Sequence, residues 1–293
     1  MVTATDNANC GACGLACSTT CTAGECVVTL ASAPMNPRAL AIDANSVYWV
    51  TGAYVMKTGL GGGTPTTLAG AGDGFSLAVD SVSVYWTSGG TNSVLSVPIA
   101  GGAPVTLCPS IAQPEYGMAV NGSSVYWVAQ SGMMSVPLAG GTPATIAPGS
   151  ALQFTALDAT YVYWATQSVV LRAPLGGGTP TTMGSGFVIR GLAVNGGNVF
   201  WSDLSAGTIM SAPLGGGSAV TLVSGRQSPG NIAIDSANIY WAEAMSPGGV
   251  LRAPLAGGVP TTIALGAPLR IAVDGTSVYW LDYSGSVMKV TPK

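Results

Sequence analysis

The side chains of this sequence that can do chemistry are few, because only 7% of its residues are charged. Many of these charges recur at fixed turn and strand positions or lie near the termini. Nine others stand in stretches of variable length: Arg38, Asp73, Glu115, Arg190, Asp203, Arg226, Glu243, Arg270 and Asp282. Arginines bind carboxylates and phosphates, whereas paired carboxylates can carry out acid–base catalysis. The sequence therefore offers two kinds of candidate site, one for binding an anion and one for catalysis.

Histidine is absent from the sequence. Its absence excludes imidazole general bases, histidine zinc sites and Ser–His or Cys–His nucleophiles. A lyase or hydrolase with a central active site would need Glu243, Asp203, Asp282 or Glu115 for its acid–base step. No catalytic motif is recognisable, so we expect a protein that is not an enzyme, with no catalytic residues, cofactor or metal.

The cysteines are clustered, and their pattern bears on the compartment. Five lie in the first 26 residues and one stands alone, in the order Cys10, Cys13, Cys17, Cys21, Cys26 and Cys108. The Cys10–Cys13 pair could indicate zinc, a redox pair or haem attachment, but Gly14 stands where the haem motif needs histidine and no second such pair follows. A disulfide knot in an oxidising compartment is the preferred interpretation. An odd number of prefix cysteines predicts a bond from Cys108, either to the prefix or to another chain.

Composition indicates an all-β protein. The chain has 42 glycines and 19 prolines, which favour short strands and tight turns. A net charge of −3 gives no reason to expect nucleic acid as a partner, and no apolar run is long enough for a transmembrane segment. The cysteine pattern favours a secreted or cell-surface protein. Residues 2–6 carry no basic or apolar signal-peptide region, so we expect that the leader of such a protein is not in this chain.

Internal repeats are the dominant feature of the sequence. Variants of an apolar-Ala-apolar-Asp/Asn, Tyr-Trp and Pro-Leu-x-Gly-Gly pattern recur in seven units along the chain. Its tryptophans, spaced by 37 to 41 residues, are Trp49, Trp86, Trp127, Trp164, Trp201, Trp241 and Trp280. Each unit holds four short alternating runs separated by turn residues. Four strands at a period near 40 predict a seven-bladed β-propeller with four antiparallel strands per blade.

Two further positions recur in every unit. An alanine on the first strand suits the crowded propeller axis: Ala41, Ala78, Ala119, Ala156, Ala193, Ala233 and Ala272. An aspartate or asparagine six residues before each tryptophan should cap the first hairpin turn: Asp43, Asp80, Asn121, Asp158, Asn195, Asp235 and Asp274. A ring of calcium ligands is the alternative for these seven residues. Their presence in every unit favours the structural role.

The two ends of the chain are predicted to close the ring. The seventh unit ends after its third strand, and Val27–Leu30 resembles the missing fourth strand. The N-terminal strand therefore should complete the last blade and remove its open edge. We divide the chain into a disulfide-stapled cysteine-rich segment, 1–26, and a propeller, 27–293.

Val278-Tyr279-Trp280-Leu281-Asp282 resembles the YWTD repeat of low-density-lipoprotein-receptor-type propellers, and the likeness extends over residues 27–293. Those propellers are extracellular protein-binding modules that typically have six blades, whereas this chain has seven units. The aspartate of the motif persists only as Asp203 and Asp282, with Glu243 in the sixth unit. The resemblance implies the fold and the compartment, but no particular partner. The prefix around Cys10 and Cys13 resembles segments of secreted bacterial proteins.

Repeat lengths divide the propeller into two faces. The first and third connectors of each unit keep their lengths, whereas the second connector and the link to the next unit vary. In an up-and-down blade, those two variable segments lie on the same face, which we call the variable face. All nine charged residues named first map to it, and loops on a rigid scaffold commonly form binding sites.

The mouth of the central channel should open on the variable face. The residues just before the inner strands are Arg38, Phe75, Tyr116, Phe154, Arg190 and Arg270. Such a mouth could hold a carboxylate, a phosphate, a sugar ring or a peptide. Alternatively, Phe75 and Phe154 only plug the channel. The carboxylates Asp203, Glu243 and Asp282 could likewise form an ion-pair network with Arg226 and Arg270.

The preferred function is a non-catalytic binding or scaffold module for a protein or glycan at the variable face. A multivalent lectin would need equivalent loops in every blade, which the sequence does not have. A structural subunit of an extracellular coat, filament or matrix, with possible self-assembly, is a further alternative. The carboxylate-based enzyme is the least favoured.

Overall fold

A computed structural model describes residues 20–22, 25–32, 36–111, 114–149, 153–245 and 248–293. These residues form 29 strands in seven antiparallel sheets arranged as a seven-bladed β-propeller, which confirms the predicted fold. None of them forms a helix long and apolar enough to cross a membrane.

Blades 1 to 6 have four strands each, ordered from the axis outwards and starting with β3 in blade 1, whereas the sheet of blade 7 has five. The innermost strands are β3 (Ala39–Ile42), β7 (Gly74–Val79), β11 (Pro114–Val120), β15 (Gln153–Leu157), β19 (Ile189–Val194), β23 (Pro229–Ile234) and β27 (Pro268–Val273). The second strands are β4 (Ser46–Val50), β8 (Ser83–Ser88), β12 (Ser124–Ala129), β16 (Tyr161–Ala165), β20 (Asn198–Asp203), β24 (Asn238–Glu243) and β28 (Val278–Asp282).

The outer half of each blade completes the sheet. The third strands are β5 (Tyr54–Gly59), β9 (Ser93–Pro98), β13 (Gly132–Pro137), β17 (Val169–Pro174), β21 (Thr208–Pro213), β25 (Gly249–Pro254) and β29 (Ser286–Thr291). The fourth strands of blades 1 to 6 are β6 (Thr66–Gly70), β10 (Val105–Cys108), β14 (Ala144–Pro148), β18 (Thr181–Ser185), β22 (Val220–Val223) and β26 (Thr261–Leu265).

The N-terminal strand closes the ring in blade 7, as predicted. Strand β2 (Glu25–Ser32) pairs with β29, with Val27 opposite Val290 and Val28 opposite Lys289. A short strand, β1 (Thr20–Thr22), forms a hairpin with β2 and adds a fifth strand to this blade. Because the first and last parts of the chain share one sheet, the last blade has its fourth strand and the ring is closed.

The core lies between adjacent blades. All seven tryptophans are buried, and each packs among residues of two neighbouring sheets. Trp86 of blade 2, for example, belongs to one apolar cluster with Tyr48 and Val50 of blade 1. The sheets splay outward from the axis, so a large ring on the second strand fills the gap while alanine on the first strand fits the narrow centre.

The recurrent aspartates cap the first hairpin of each blade. In blade 1, Asp43 Oδ1 accepts hydrogen bonds from the backbone N–H groups of Asn45 and Ser46, and Oδ2 accepts one from the Tyr48 hydroxyl at 2.8 Å. The side-chain oxygens are therefore occupied by their own turns, which accounts for an aspartate or asparagine in every unit. Burial, and then the hydrogen bond to Asp43, raise the pKa of Tyr48 to about 12.

Basic residues on the third strands join neighbouring blades. Lys57 Nζ donates to the carbonyl of Ile99 in blade 2 at 2.6 Å, and Arg172 donates to the carbonyl of Leu214 in blade 5 at 2.7 Å. In blade 7 the equivalent residue, Lys289, donates from Nζ to the carbonyl of Leu60 in blade 1 at 3.0 Å. The last of these contacts ties the two ends of the ring together.

The cysteines are only partly within the described residues. Cys10, Cys13 and Cys17 lie outside them, so the pairing of the prefix cysteines stays a prediction, whereas Cys21 and Cys26 stand opposite each other where β1 meets β2. Cys108 is a free cysteine, fully buried in the cluster that contains Trp127. The structure thus differs from the predicted bond at Cys108, because its thiol faces the apolar core between blades 2 and 3.

Candidate functional site

The candidate site is the mouth of the central channel on the variable face. Its walls are the first residues of the inner strands, and we define the channel mouth by Arg38, Phe75, Tyr116, Phe154 and Arg270. These five residues come from five different blades and surround a cavity of about 170 Å³. Five of the six mouth residues expected from the sequence therefore meet around one cavity.

Rings and guanidinium groups contact one another around this mouth. The Arg38 guanidinium lies 4.8 Å from the centre of the Phe75 ring, and the Phe75 and Tyr116 ring centres are 5.8 Å apart. The Arg270 guanidinium lies 5.6 Å from the Tyr116 ring centre and 5.9 Å from that of Phe154. Arg270 thus sits between two aromatic rings, an arrangement in which cation–π attraction holds the side chain in place.

Backbone features place Phe154 beside Tyr116. Phe154 has a left-handed φ of 51°, and the ladder between β15 and β16 shifts register between Gln153 and Thr155. Gly117 lies so close to this point that a Cβ there would meet the Phe154 backbone at 3.1 Å. A bulge redirects side chains, and a glycine lets the neighbouring strand approach it.

Arg38 is already paired with a carboxylate. Its Nη1 lies 2.7 Å from Asp73 Oδ1 and also donates to the carbonyl of Gly74 at 3.3 Å. Both side chains are partly exposed. The negative charge of Asp73 offsets the positive charge of Arg38 within the mouth. The predicted site residue Arg38 is thus paired with Asp73, another charged residue of the variable face.

Arg270 has no such partner within the part of the chain that the structure describes. The polar contact of its guanidinium there is a 3.4 Å hydrogen bond from Nη1 to the carbonyl of Leu269. Burial lowers the pKa of Arg270, and the positive charge of Arg190 lowers it further, whereas the Tyr116 and Tyr283 side chains act in the opposite direction. Two like charges therefore stand near each other, with no counter-ion for them among the described side chains.

A groove of about 500 Å³ runs from the mouth towards blades 5 to 7. We define it by Gln153, Arg190, Leu204, Met245 and Tyr283; Arg270 and Tyr116 form its boundary with the mouth. Arg190 is exposed, and its Nη1 reaches Gln153 Oε1 at 3.5 Å. Met245 and Tyr283 expose 61% and 67% of their surface, so the groove combines two cations with accessible apolar groups.

Several uncharged residues of this region were not predicted, among them Asn231, Thr155 and Tyr283, and also Gln153, Leu204 and Met245 of the groove. Asn231 lines both the mouth and the groove, and its Oδ1 accepts the backbone N–H of Ile271 at 2.8 Å, which directs the amide. Thr155 lines the mouth with a buried hydroxyl that has no hydrogen-bond partner among the described residues. Asn231 occupies the repeat position of Arg270, two residues before the inner alanine, and Tyr283 follows Asp282. Comparing that position across repeats could have identified Asn231.

Asp203 supports its own loops and does not line the mouth or the groove. Its oxygens accept four backbone N–H bonds, from Phe187 at 2.6 Å and from Val188, Ser205 and Ala206 at 3.1 Å. Burial by itself would raise the pKa of Asp203, but these donors outweigh it and lower the pKa. The carboxylate is 2% exposed, so we assign it a structural role.

Glu243 and Asp282 likewise have their oxygens occupied by neighbouring protein groups. Arg226 donates from Nε and Nη2 to the two oxygens of Glu243 at 2.8 and 2.9 Å, and Trp241 Nε1 donates to the same carboxylate at 2.9 Å. Asp282 accepts the backbone N–H groups of Ala267 and Ser284. One ion pair is thus present, but no network links the three carboxylates.

Glu115 belongs to β11 next to Tyr116, and its side chain lies outside the described residues. Among the residues that are described, no group of three His, Cys, Asp or Glu side chains could hold a metal ion.

Comparison with known proteins identifies the fold. No family model matches the chain, and no curated protein does. A catalytically inactive virginiamycin B lyase from Staphylococcus aureus, solved with quinupristin, is similar with a TM-score of 0.74 and 13% identity over 91% of this chain and 98% of that one. The WD40 propeller of Doa1 is similar with a TM-score of 0.75 and 13% identity over 91% of this chain and 96% of that one.

A propeller from a nidogen/laminin complex has a TM-score of 0.54 and 17% identity over 82% of this chain and 86% of its own. These identities show the propeller fold alone. The three proteins include a lyase and a chain of a nidogen/laminin complex, so the fold does not select between catalysis and binding.

Proposed function

We propose that this protein is a secreted or cell-surface, non-catalytic binding module whose ligand site is the channel mouth with its groove. The observation that carries the proposal is the position of Arg270, between the Tyr116 and Phe154 rings and without a carboxylate partner among the described residues. A cation held rigidly at a cavity is suited to binding an anionic group.

Exposed apolar residues near the groove support a protein as the partner. Phe187 and Met245 are 73% and 61% exposed, and Tyr283 is 67% exposed on the adjoining blade. Large exposed apolar residues rimmed by polar ones mark interaction surfaces, and methionine, aromatic residues and arginine are enriched in interfaces. The cysteine-rich segment, with disulfides among its cysteines, is part of the proposal for an extracellular protein.

Catalysis is the less favoured candidate for this mouth. The inactive lyase similar in fold is a histidine-to-alanine variant, and this chain contains no histidine that could take such a role. Three of the carboxylates named as acid–base candidates are already engaged. Asp203 and Asp282 accept backbone N–H groups, and Glu243 is paired with Arg226. These engaged groups favour a binding role for the mouth.

The test is a screen of the purified chain against a printed glycan array and immobilised random peptides. Each ligand found is then titrated against the wild type, Arg270→Gln and Val259→Ser. Val259 is 88% exposed in the third connector of blade 6, on the opposite face, and serves as the matched control. We expect Arg270→Gln to weaken binding at least roughly tenfold, because a charged hydrogen bond is lost. Ligands insensitive to Arg270→Gln, or no ligand from either screen, would contradict the proposal.

A further inference from the structure

We infer that the mouth and groove recognise the free carboxyl terminus of a peptide chain whose last residue is apolar. This inference rests on the proposed function and names the ligand class of the same site. It depends on two features that occur side by side, a pair of cations without a counter-ion and an accessible apolar wall.

The cationic feature consists of Arg270 and Arg190. Both line the groove, and neither has a carboxylate within salt-bridge distance among the described residues. The planar guanidinium of Arg270 matches the two oxygens of a carboxylate, and a bound anion would relieve the repulsion between the two arginines. The Asn231 amide, fixed through its oxygen to the Ile271 N–H, adds a donor at the same place.

The apolar feature lies next to these cations in the same groove. Leu204, Ala242, Met245, Pro268 and Leu269 contribute to its lining, with Met245 largely exposed. In the last residue of a peptide, the carboxylate and the side chain are attached to one Cα. A single terminal residue can therefore place its carboxylate on Arg270 and its apolar side chain on this wall.

Other anionic ligands fit this combination less well. An acidic polysaccharide repeats its charges but has no apolar side chain to cover the groove. An internal aspartate would require the peptide to enter and leave past a mouth whose cavity is about 170 Å³. A chain end needs only one path, along the groove, so the terminal carboxylate is the better match.

The experiment uses random hexapeptides immobilised through their N-termini in two forms, with a free or an amidated carboxyl terminus. A third, amidated set carries an internal aspartate, and a printed set of acidic oligosaccharides is probed in parallel. We expect the wild type to bind free-carboxyl peptides that end in Leu, Met, Val or Phe, and to bind their amidated forms at least roughly tenfold more weakly.

Variants separate the two features of the site. Arg270→Gln and Arg190→Gln should each weaken binding of the free peptides at least roughly tenfold, and Met245→Asp should weaken it by a similar factor, whereas Val259→Ser should not. Arg190 is exposed, so Arg190→Gln tests the inference even if Arg270→Gln does not fold. Arg270→Lys keeps the charge without the planar fork and should restore binding only in part.

The outcomes also separate this inference from the proposed function. Equal binding of free and amidated peptides, with dependence on Arg270, overturns the carboxyl-terminal class but leaves the mouth as a binding site. Binding only of acidic oligosaccharides, again dependent on Arg270, has the same consequence. Absence of any ligand that depends on Arg270 overturns both.

Discussion

The Glu25 carboxylate of the closing strand lies 3.9 Å from the Arg252 guanidinium of blade 6, and its other oxygen, Oε2, is buried with no hydrogen-bond partner among the residues that the structure describes. Burial raises the pKa of Glu25 to about 7, and the charge of Arg252 only partly offsets this. The residue is 8% exposed, so the closing strand carries an acid that costs free energy when it ionises.

We predict that this carboxyl makes the propeller less stable at neutral than at acidic pH. The unfolded chain releases the proton near the ordinary pKa of 4.5, whereas the folded chain holds it up to about 7. The contribution of Glu25 is therefore fully present below pH 4.5, declines as pH rises to about 7, and stays lost above. The shift corresponds to about 3 kcal/mol.

Denaturant unfolding at several pH values between 4.5 and 8 checks this prediction. Other groups titrate as well, so the quantity to compare is the free energy of unfolding of Glu25→Gln minus that of the wild type. This difference should increase with pH by about 3 kcal/mol. Parallel stability profiles for the two proteins would show that Glu25 ionises normally.

A second prediction concerns the turn carboxylates. Asp158 Oδ1 accepts two backbone N–H bonds at 2.7 Å, and Oδ2 accepts the Tyr163 hydroxyl at 2.6 Å. Asp158→Asn keeps the turn acceptor but weakens the contact with tyrosine, so we expect a loss of about 1 kcal/mol in the free energy of unfolding, and about 2 to 3 for Asp158→Ala.

The chain itself provides a comparison for this prediction. In blade 5 the turn residue is Asn195 and the buried ring is Phe200, so no hydroxyl needs a carboxylate. Asn195→Ala should therefore cost less free energy than Asp158→Ala, measured by the same denaturant titration. Equal losses at the two sites would mean that the tyrosine contact contributes nothing.

A third prediction concerns the Cys108 thiol. It is fully buried and free, and burial raises its pKa, which disfavours the reactive thiolate. Iodoacetamide should leave Cys108 unlabelled in the native protein and label it in guanidinium chloride, as read by peptide mass spectrometry. A peptide containing Cys108 in a disulfide, or labelling of the native thiol, would contradict the structure at this point.

The fold followed from the sequence because each blade repeats the same physical requirements. A tryptophan such as Trp49 recurs where the sheets splay, and an alanine such as Ala41 recurs where they converge. Val27 to Leu30 supply the one strand that the seventh unit lacks. The mouth followed from the same register, because the residue that precedes an inner strand must stand at the axis on the variable face.

The directions of side chains at the loops did not follow from the sequence. Asp203 has the repeat position of the YWTD aspartate on the variable face, but its loop turns four N–H groups towards it and buries it. Phe154 reaches the mouth through a bulge with a left-handed φ, which its sequence does not signal. Asn231 does not stand out in the sequence because its amide side chain is neither charged nor aromatic, unlike the predicted residues of the mouth.

The last prediction tests how strongly the closing strand holds the ring. Leu30 is 4% exposed and packs in one cluster with Trp49 of blade 1 and Leu281 of blade 7, whereas its neighbour Thr29 is exposed. Leu30→Ala removes apolar contacts with both blades and should lower the free energy of unfolding by about 2 to 5 kcal/mol. Thr29→Ala, one residue away on the same strand, is the matched control and should change it by less than about 0.5 kcal/mol. Similar effects of the two variants would mean that the blades on either side do not depend on the closing strand.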